Sequence, residues 1–382
     1  MEERKLDSYA RRAYADLLKN YWTGDEHTGC IIPTWTGIPV AEVPGGDPRG
    51  GLWERGMMLI AMDNYYQATH SPDIPSRMRL EAERMKKLFS VDELADAGGF
   101  LHHACDDCGW HARLYLLLYR YEKDPWLLGC AKRMVDTAAA RWMDNGLGGG
   151  MWYEDTRTWK SLYQVAIVLA CLDIYEITKE DKYLLIALEC YNWMEAMLKW
   201  KNGLYWTDLH ISGTPGQHYS PELNEQTAVI GEAGSPSFLG GNMAMMAIHA
   251  ILYKKVGLDV YRERAEHTGR GLLERYIIDG CFINDRDAWT DTTFLGEWVR
   301  EYASLPGYNE ELCKALIRTA FSVAENARTP DGHYGASWRG PADDSKHRWG
   351  QINSVSRQIT TSATSANWLM CALQLSKTEV EK

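Results

Sequence analysis

The sequence lacks any continuous apolar run near the roughly 18 residues that a membrane-spanning helix needs. Its first residues, MEERKLDSYARRAYADLL, also lack the apolar core and small-residue cleavage site of a secretory signal peptide. These two absences predict a soluble protein with no membrane insertion, located in the cytoplasm on the sequence as given. A leader removed from the start would leave no trace in it.

Basic residues are scarce relative to acidic ones. The 382 residues include 41 Lys and Arg against 52 Asp and Glu, which gives a net charge of −11. Proteins that bind nucleic acids or anionic membranes concentrate Lys and Arg at the contact surface. The charge balance therefore argues against nucleic acid as a partner and favours a neutral ligand.

A second pair of metal ligands is missing from the sequence. The stretch HHACDDCGWH (102–111) contains His102, His103, Cys105, Cys108 and His111, but no second C-x-x-C or H-x-x-x-H occurs. A structural zinc site needs about four converging ligands, usually supplied as two separated pairs. We therefore expect no metal and no other cofactor. Nine scattered cysteines, an odd number, indicate buried thiols in a reducing compartment rather than a disulfide framework.

Phenylalanine is rare, whereas amphipathic aromatic residues are abundant. The chain has 6 Phe but 16 Trp and 21 Tyr. A core that needed only apolar rings would accept Phe, so we expect part of the Trp and Tyr excess to be exposed and functional.

Two kinds of helix alternate along the chain, and together they predict an all-α fold. SLYQVAIVLACLDIY (161–175) is apolar nearly all round, whereas DVYRERAEHTGRGLLERY (259–276) has one apolar stripe. The first pattern is typical of an inner helix and the second of an outer helix. Inner helices are predicted near 53–67, 107–121, 160–176, 241–255, 293–304 and 362–376. Outer helices are predicted near 6–22, 76–89, 125–141, 181–199, 259–276 and 309–327. Six alternating pairs predict a single (α/α)6 toroid over residues 1–382.

The turns between these helices indicate where a site would lie. Inner-to-outer turns such as LYRYEKDPW (118–126) are short, and in this repeated phrase Asp124, Asp181 and Asp259 are predicted to cap the next helix. Outer-to-inner segments are long, and long loops in a compact fold usually carry function. We therefore expect the site at the N-terminal ends of the inner helices.

Asp106 and Asp107 open the second inner helix on that rim. Aspartates at a helix start are often only caps or solvated residues. However, the helix dipole favours one ionised carboxylate, and mutual repulsion pushes the other to hold its proton. One ionised nucleophile and one protonated acid is the requirement for retaining glycoside hydrolysis.

The stretch DDCGWHARLYLLLYRYEKDPWLLGCAKRM, followed by GGGMWY (148–153), resembles glycoside hydrolase family 76, the endo-α-1,6-mannanases. GLWERGMMLIAMDNYY (51–66), GGNMAMMAIHAILYK (240–254) and DTTFLGEWVREY (291–302) extend the resemblance over most of the chain. The resemblance implies a retaining hydrolase of mannan or mannooligosaccharides with α-1,6 linkages. It also implies that Asp106 is the nucleophile and Asp107 the acid/base.

Aromatic and polar residues near the rim are predicted to bind the oligo- or polysaccharide substrate. These candidates are Trp53, His102, His103, Trp110, Trp152, Tyr153, Lys160, Asn242, Trp289, Asp291 and Phe294. Two stretches depart from the family pattern: Lys160-Ser161 replaces the usual Lys-Asn, and Phe294-Leu295-Gly296 replaces Phe-Lys-Gly. These departures put the sugar and the linkage in question more than the chemistry.

Other functions of the same toroid stay open at this point. A sugar 2-epimerase would move a proton with histidines on inner helices, for which His111 and His249 are the candidates. An unsaturated glucuronyl hydrolase would need a more basic pocket for its acidic sugar. A non-catalytic glycan-binding toroid would keep the aromatic rim but would not need the intact aspartate pair.

Overall fold

The computed structural model describes residues 2–23, 30–32, 34–35, 38–39, 52–88, 104–211, 215–216, 239–283, 295–335, 337–341 and 359–380. Twelve α-helices lie in these ranges. They are α1 (Glu2–Tyr21), α2 (Leu52–Thr69), α3 (Asp73–Leu88), α4 (Cys105–Glu122), α5 (Pro125–Trp142), α6 (Val165–Thr178), α7 (Asp181–Met197), α8 (Leu239–Val256), α9 (Asp259–Tyr276), α10 (Leu295–Ala303), α11 (Glu310–Asn326) and α12 (Ile359–Val380).

Strands are few and short within the described residues. They are β1 (Thr34–Trp35), β2 (Ile38–Pro39), β3 (Trp159–Ser161), β4 (Asp208–His210), β5 (Pro215–Gly216), β6 (Ile277–Ile278) and β7 (Cys281–Phe282). β1 pairs with β2, β4 lies between β3 and β5, and β6 pairs with β7, all antiparallel. Trp159 is opposite His210 in the β3–β4 register.

The chain forms two compact units, and each is described by itself. Unit 1 contains residues 1–77 and 238–382, and unit 2 contains residues 78–237. In unit 2, α4 packs against α5 and α6, and α6 packs against α7. The first ten residues of α6 include no exposed position, as its apolar sequence predicts. Unit 2 therefore has a buried α4–α6 pair flanked by amphipathic α5 and α7.

Unit 1 repeats this arrangement with four buried helices. α8 contacts α10, α10 contacts α12, and α12 contacts α2. The amphipathic helices lie beside them, with α9 on α8, α11 on α12 and α1 on α12. A polar cluster joins three of these helices: Asn64 Nδ2 donates to Asn367 Oδ1 over 2.7 Å, and Arg300 donates to Asn64 Oδ1.

The predicted helix alternation is confirmed, apart from one helix start. The third inner helix was expected from residue 160, but Trp159–Ser161 is a strand, and Leu162–Gln164 is a 3-10 turn before α6. Ser161 accepts a hydrogen bond from the Tyr163 amide over 3.1 Å, which starts that turn. Lys160 pairs with Leu209 of β4, a long-range contact that helical periodicity does not reveal.

One of the three predicted aspartate caps is confirmed. Asp124 accepts a hydrogen bond from the Trp126 amide over 2.9 Å, with Pro125 as the first helical residue. The prediction is wrong for Asp181 and Asp259, which lie inside the first turn after N-cap residues that make no side-chain bond. At that position their charge interacts with the positive helix end instead. No helix of the described residues is long and apolar enough to cross a membrane.

Candidate active site

Asp106 and Asp107 lie in the first turn of α4. Ala104 is extended at the N-cap, and the Cys105 amide donates to the carbonyl of Tyr153 over 2.8 Å. The loop that follows α5 therefore lies against the start of α4, as expected for a site at this end of the helix. Asp106 is buried, with 9% of its surface exposed, whereas Asp107 is more accessible.

Burial is the largest influence on Asp106 and raises the pKa of its carboxyl well above 3.8. The charge of Asp107 raises it further, whereas backbone hydrogen bonds and a side-chain hydrogen bond with Tyr153 lower it. Two adjacent carboxyls in such surroundings titrate as a pair. The pair therefore retains one proton at a higher pH than an ordinary aspartate would.

Gly109 lets α4 approach α6 closely just after the aspartate pair. A Cβ atom built on Gly109 would lie 2.5 Å from the backbone carbonyl carbon of Ala166 and 2.6 Å from the Ile167 nitrogen. Real Cβ contacts are not that short, so a larger residue would force the two helices apart. The position of the carboxylates thus depends on this glycine.

The Gly-Gly-Gly segment has a backbone conformation that residues other than glycine rarely adopt. The φ angles of Gly148, Gly149 and Gly150 are 84°, 108° and 68°. A Cβ atom on Gly150 would also lie 2.8 Å from Cγ of Trp193. The next amide, that of Met151, donates to Gln164 Oε1 over 2.7 Å. The motif therefore fixes the path of the loop toward α4.

Lys160, predicted to bind substrate, holds this loop from inside. Its Nζ donates to the carbonyls of Gly149 over 2.6 Å and Gly150 over 3.2 Å, and lies 3.5 Å from Asp144 Oδ1. The side chain has no exposed surface to offer a sugar. Burial lowers the pKa of Lys160, and the Asp144 carboxylate opposes this shift.

Trp152 is likewise part of the loop packing rather than an exposed platform for a sugar ring. Its Nε1 donates to Asp144 over 2.8 Å, and Lys160 Nζ lies 4.6 Å from the ring centroid. Only 5% of the residue is exposed. The polar end of the ring, which suggested sugar stacking, is instead bound to the half-buried Asp144.

Tyr153 is the predicted site residue that the structure brings to the aspartate pair. It has 7% exposure, its carbonyl accepts from the Cys105 amide over 2.8 Å, and its ring stacks on Trp159 with ring centroids 4.0 Å apart. Trp110, one turn after the pair on α4, is also buried. Tyr153 therefore lies at the start of α4, beside the aspartate pair.

Most of the remaining candidates cannot be located. His102, His103, Trp289, Asp291 and Phe294 are outside the described residues, as is the side chain of Trp53 on α2. Asn242 lies near the start of α8 in unit 1 and is fully buried.

Cys105 and Cys108 are buried and free, and burial raises the pKa of both thiols. A raised thiol pKa disfavours the thiolate that binds zinc. Across the part of the chain that the structure describes, no three His, Cys, Asp or Glu residues are grouped to hold a metal.

Sequence reasoning missed several residues that shape the site. Asp144 links Lys160 and Trp152, Gln164 binds the loop backbone, and Trp193 Nε1 donates to the Leu147 carbonyl over 2.8 Å. Gly109 gave a signal, because a glycine inside a helix often marks a close approach. The other three have no local pattern that separates them from ordinary polar or core residues.

The family model for glycosyl hydrolase family 76 matches residues 5–372. The chain belongs to this family. It is accordingly a glycoside hydrolase, and the resemblance seen in its motifs is confirmed over nearly its whole length. No curated protein matches the sequence.

Solved structures of family 76 proteins are similar to this chain. An inactive variant of an α-1,6-mannanase from Salegentibacter sp. HEL1_6, in complex with α-1,6-mannotriose, is 16% identical with a TM-score of 0.72. That match covers 97% of this chain and 99% of the other. A family 76 mannosidase from Bacteroides thetaiotaomicron VPI-5482 is 15% identical with a TM-score of 0.75, covering 98% and 100%.

A third similar structure is Dfg5 from Chaetomium thermophilum in complex with glucosamine. It is 15% identical with a TM-score of 0.69, and the match covers 97% of this chain and 90% of the other. At such identities the similarity shows the fold alone. Family 76 structures are helical toroids, so the predicted (α/α)6 fold class is confirmed.

Proposed function

We propose that the protein hydrolyses α-1,6-mannosidic linkages in mannan or mannooligosaccharides with retention of configuration. The observation that carries this proposal is the adjacent Asp106–Asp107 pair in the first turn of α4, with Asp106 buried and its pKa raised. The α-1,6-mannotriose bound by the similar Salegentibacter enzyme supports the choice of linkage.

In the first step, the Asp106 carboxylate attacks the anomeric carbon and forms a glycosyl ester. Asp107 donates its proton to the departing glycosidic oxygen, which leaves as an alcohol. In the second step, Asp107 accepts a proton from water, whose oxygen attacks the same carbon and releases Asp106. Each residue thus ends the cycle in the protonation state in which it began.

Accessibility supports this division of roles. Asp107 is the more exposed of the two, and the general base of the second step must reach water. Asp106 is shielded, as suits a nucleophile whose ester must await the second step. Burial and the charge of Asp107 both favour a neutral carboxyl at Asp106, so the pair shares one proton, which has to lie on Asp107 when Asp106 attacks the sugar.

The epimerase and binding-only alternatives have less support. His111 on α4 and His249 on α8 are both buried, and the family match identifies a hydrolase. We therefore advance no second function.

Two measurements test the linkage and the stereochemistry. Hydrolysis of α-1,6-mannotetraose should be at least about tenfold faster than that of α-1,2- and α-1,3-linked counterparts, because one linkage geometry brings the anomeric carbon to Asp106. Proton NMR of the earliest product should show the α-anomer. Equal rates on all linkages would contradict the linkage, and a first-formed β-anomer would contradict retention.

A further inference from the structure

We propose that Lys160 is a positioning residue for this reaction, because its ammonium fixes the loop that sets the first turn of α4, where Asp106 and Asp107 lie. This loop, residues 143–158 between α5 and β3, is called the glycine loop below. The sequence suggested a different role for Lys160, direct contact with substrate. The inference rests on the proposed function for its effect on turnover, whereas its effect on the start of α4 can be measured without substrate.

The Lys160 ammonium is surrounded by acceptors that the glycine loop supplies. Its Nζ donates to the carbonyls of Gly149 over 2.6 Å, Gly150 over 3.2 Å and Asp144 over 3.4 Å. Asp144 Oδ1 lies 3.5 Å from Nζ, and the centroid of the Trp152 ring lies 4.6 Å away. An ammonium has three donors and no acceptor, so such surroundings suit it. Its loss would deprive these carbonyls of a donor inside the protein, which favours other loop conformations.

Hydrogen bonds continue from this point of the glycine loop to α4. Directly after Gly150, the Met151 amide donates to Gln164 Oε1 over 2.7 Å. Two residues further on, the Tyr153 carbonyl accepts from the Cys105 amide over 2.8 Å. The chain between the Lys160 contacts and α4 is therefore short and bonded, so a displacement at Gly150 is passed to the helix start.

The start of α4 depends on this acceptor from outside the helix. The N-cap residue is Ala104, whose side chain cannot accept a hydrogen bond from the first turn as Ser or Asp would. The first helical amide, that of Cys105, is bound by the Tyr153 carbonyl instead. Asp106 and Asp107 are the next two residues, so movement of the glycine loop would shift both carboxyls.

Arg157 offers a matched comparison on the outer side of the same loop. Its Nη1 donates to Asp144 Oδ2 over 2.9 Å, so Arg157 and Lys160 both contact this carboxylate. The Arg157 side chain is 53% exposed, whereas that of Lys160 has no exposed surface. Exposed ion pairs contribute little to stability. We therefore expect the loop conformation to depend on Lys160 and not on Arg157.

The kinetic test compares Lys160→Met with Arg157→Met on α-1,6-mannotetraose, with thermal unfolding showing that each variant is folded. Lys160→Met should lower kcat by about tenfold to a hundredfold, because small displacements of reacting groups are costly. Its KM should stay within about twofold of the wild type, since Lys160 has no exposed surface to offer a sugar. Arg157→Met should match the wild type in both constants. Lys160→Gln keeps an N–H donor and should lose less kcat, and it replaces Lys160→Met if that variant does not fold.

Three kinetic results would overturn the inference. They are a normal kcat after substitution of Lys160, an equal loss of kcat in Arg157→Met, and a raised KM with unchanged kcat. The last of these would return Lys160 to the substrate-binding role that the sequence suggested.

Hydrogen exchange tests the same inference without substrate. Selective nitrogen-15 labelling of cysteine reports the Cys105 amide by NMR, and Cys105→Ser identifies its signal. In Lys160→Met this amide should exchange at least about tenfold faster than in the wild type, because its acceptor moves. The amides of Cys130 in α5 and Cys171 in α6 should keep their rates, since they lie inside helices and report general opening. Equal acceleration of all three amides, or none at Cys105, would overturn the inference.

Failure of the proposed function would look different. A wild type that leaves mannan intact would contradict that function alone, and the exchange rates would still decide whether Lys160 fixes the start of α4.

Discussion

Asp106 combines burial with a neighbouring like charge, and both oppose its ionised form. Its pKa in the folded protein is raised above 3.8, the ordinary aspartate value that we take for the unfolded chain. Ionisation of a group with a raised folded pKa costs folding free energy once the pH exceeds the unfolded value. The same surroundings that prepare the carboxyl for reaction therefore reduce the stability of the protein at neutral pH.

Asp106→Asn should consequently be more stable than the wild type at neutral pH. The amide does not titrate and removes the repulsion with Asp107. The gain should be small near pH 4, should increase as the pH rises towards the folded pKa of Asp106, and should then level off. Thermal unfolding at several pH values measures it. A variant less stable than the wild type at pH 7 would contradict this account.

Asp107→Ala should separate the two chemical steps. Hydrolysis of mannooligosaccharides should fall by about 10²- to 10⁴-fold, because the leaving oxygen loses its acid. Aryl mannosides with good leaving groups need little protonation, so their first step should be largely preserved. Azide should restore turnover on them by replacing the water that Asp107 activates. Equal losses on both substrates without azide rescue would remove Asp107 from the acid/base role.

At the scale of elements, the alternation of inner and outer helices was predictable from the sequence. A helix buried on all sides is apolar nearly all round, whereas a helix buried on one face is apolar only along one stripe. α6 and α9 show the two patterns clearly. The start of the third inner helix was not predictable. Lys160 lies in a strand there because it pairs with Leu209, nearly 50 residues away in the chain. Pairing over such a distance has no signature in local sequence.

Two helical glycines in unit 2 provide a matched pair for substitution. Gly109→Ala on α4 should destabilise the protein by about 1–3 kcal/mol or more and reduce kcat, because the new methyl group meets the backbone of α6. Gly129→Ala on α5 should stabilise it by about 0.5–1 kcal/mol, because nothing lies within 4 Å and alanine favours the helix.

Denaturant unfolding and mannan hydrolysis of both glycine variants check these values. Equal effects of the two substitutions would show that the α4–α6 approach does not position the aspartates. A Gly109→Ala variant with unchanged stability and a normal kcat would lead to the same conclusion.

The site was predictable in part from sequence. Asp106, Asp107 and the glycine segment belong to sequence motifs that predict their local backbone geometry. By contrast, Lys160 and Trp152 have the residue types of a sugar site, but their polar groups are used by Asp144 and the loop carbonyls. Residue type indicates the contacts that a side chain can make, and tertiary packing decides which of them it makes.

For the whole molecule, we predict a single domain that unfolds cooperatively. The boundary between the two compact units, at residues 77 and 78, falls inside α3, so separating them would break a helix. One unfolding transition is expected by both calorimetry and circular dichroism. Two transitions, or a stable proteolytic fragment close to residues 78–237, would contradict the prediction of one domain.

The central claim is that the Asp106–Asp107 pair cleaves α-1,6-mannan. The most direct measurement is release of reducing ends from linear α-1,6-mannan by the wild type and by Asp106→Asn, with thermal unfolding showing that the variant is folded. The wild type should release mannooligosaccharides, and the folded variant should lose about 10³-fold or more of that activity while still binding them. A wild type that leaves the polymer intact, or a variant that retains near-normal activity, would contradict the account.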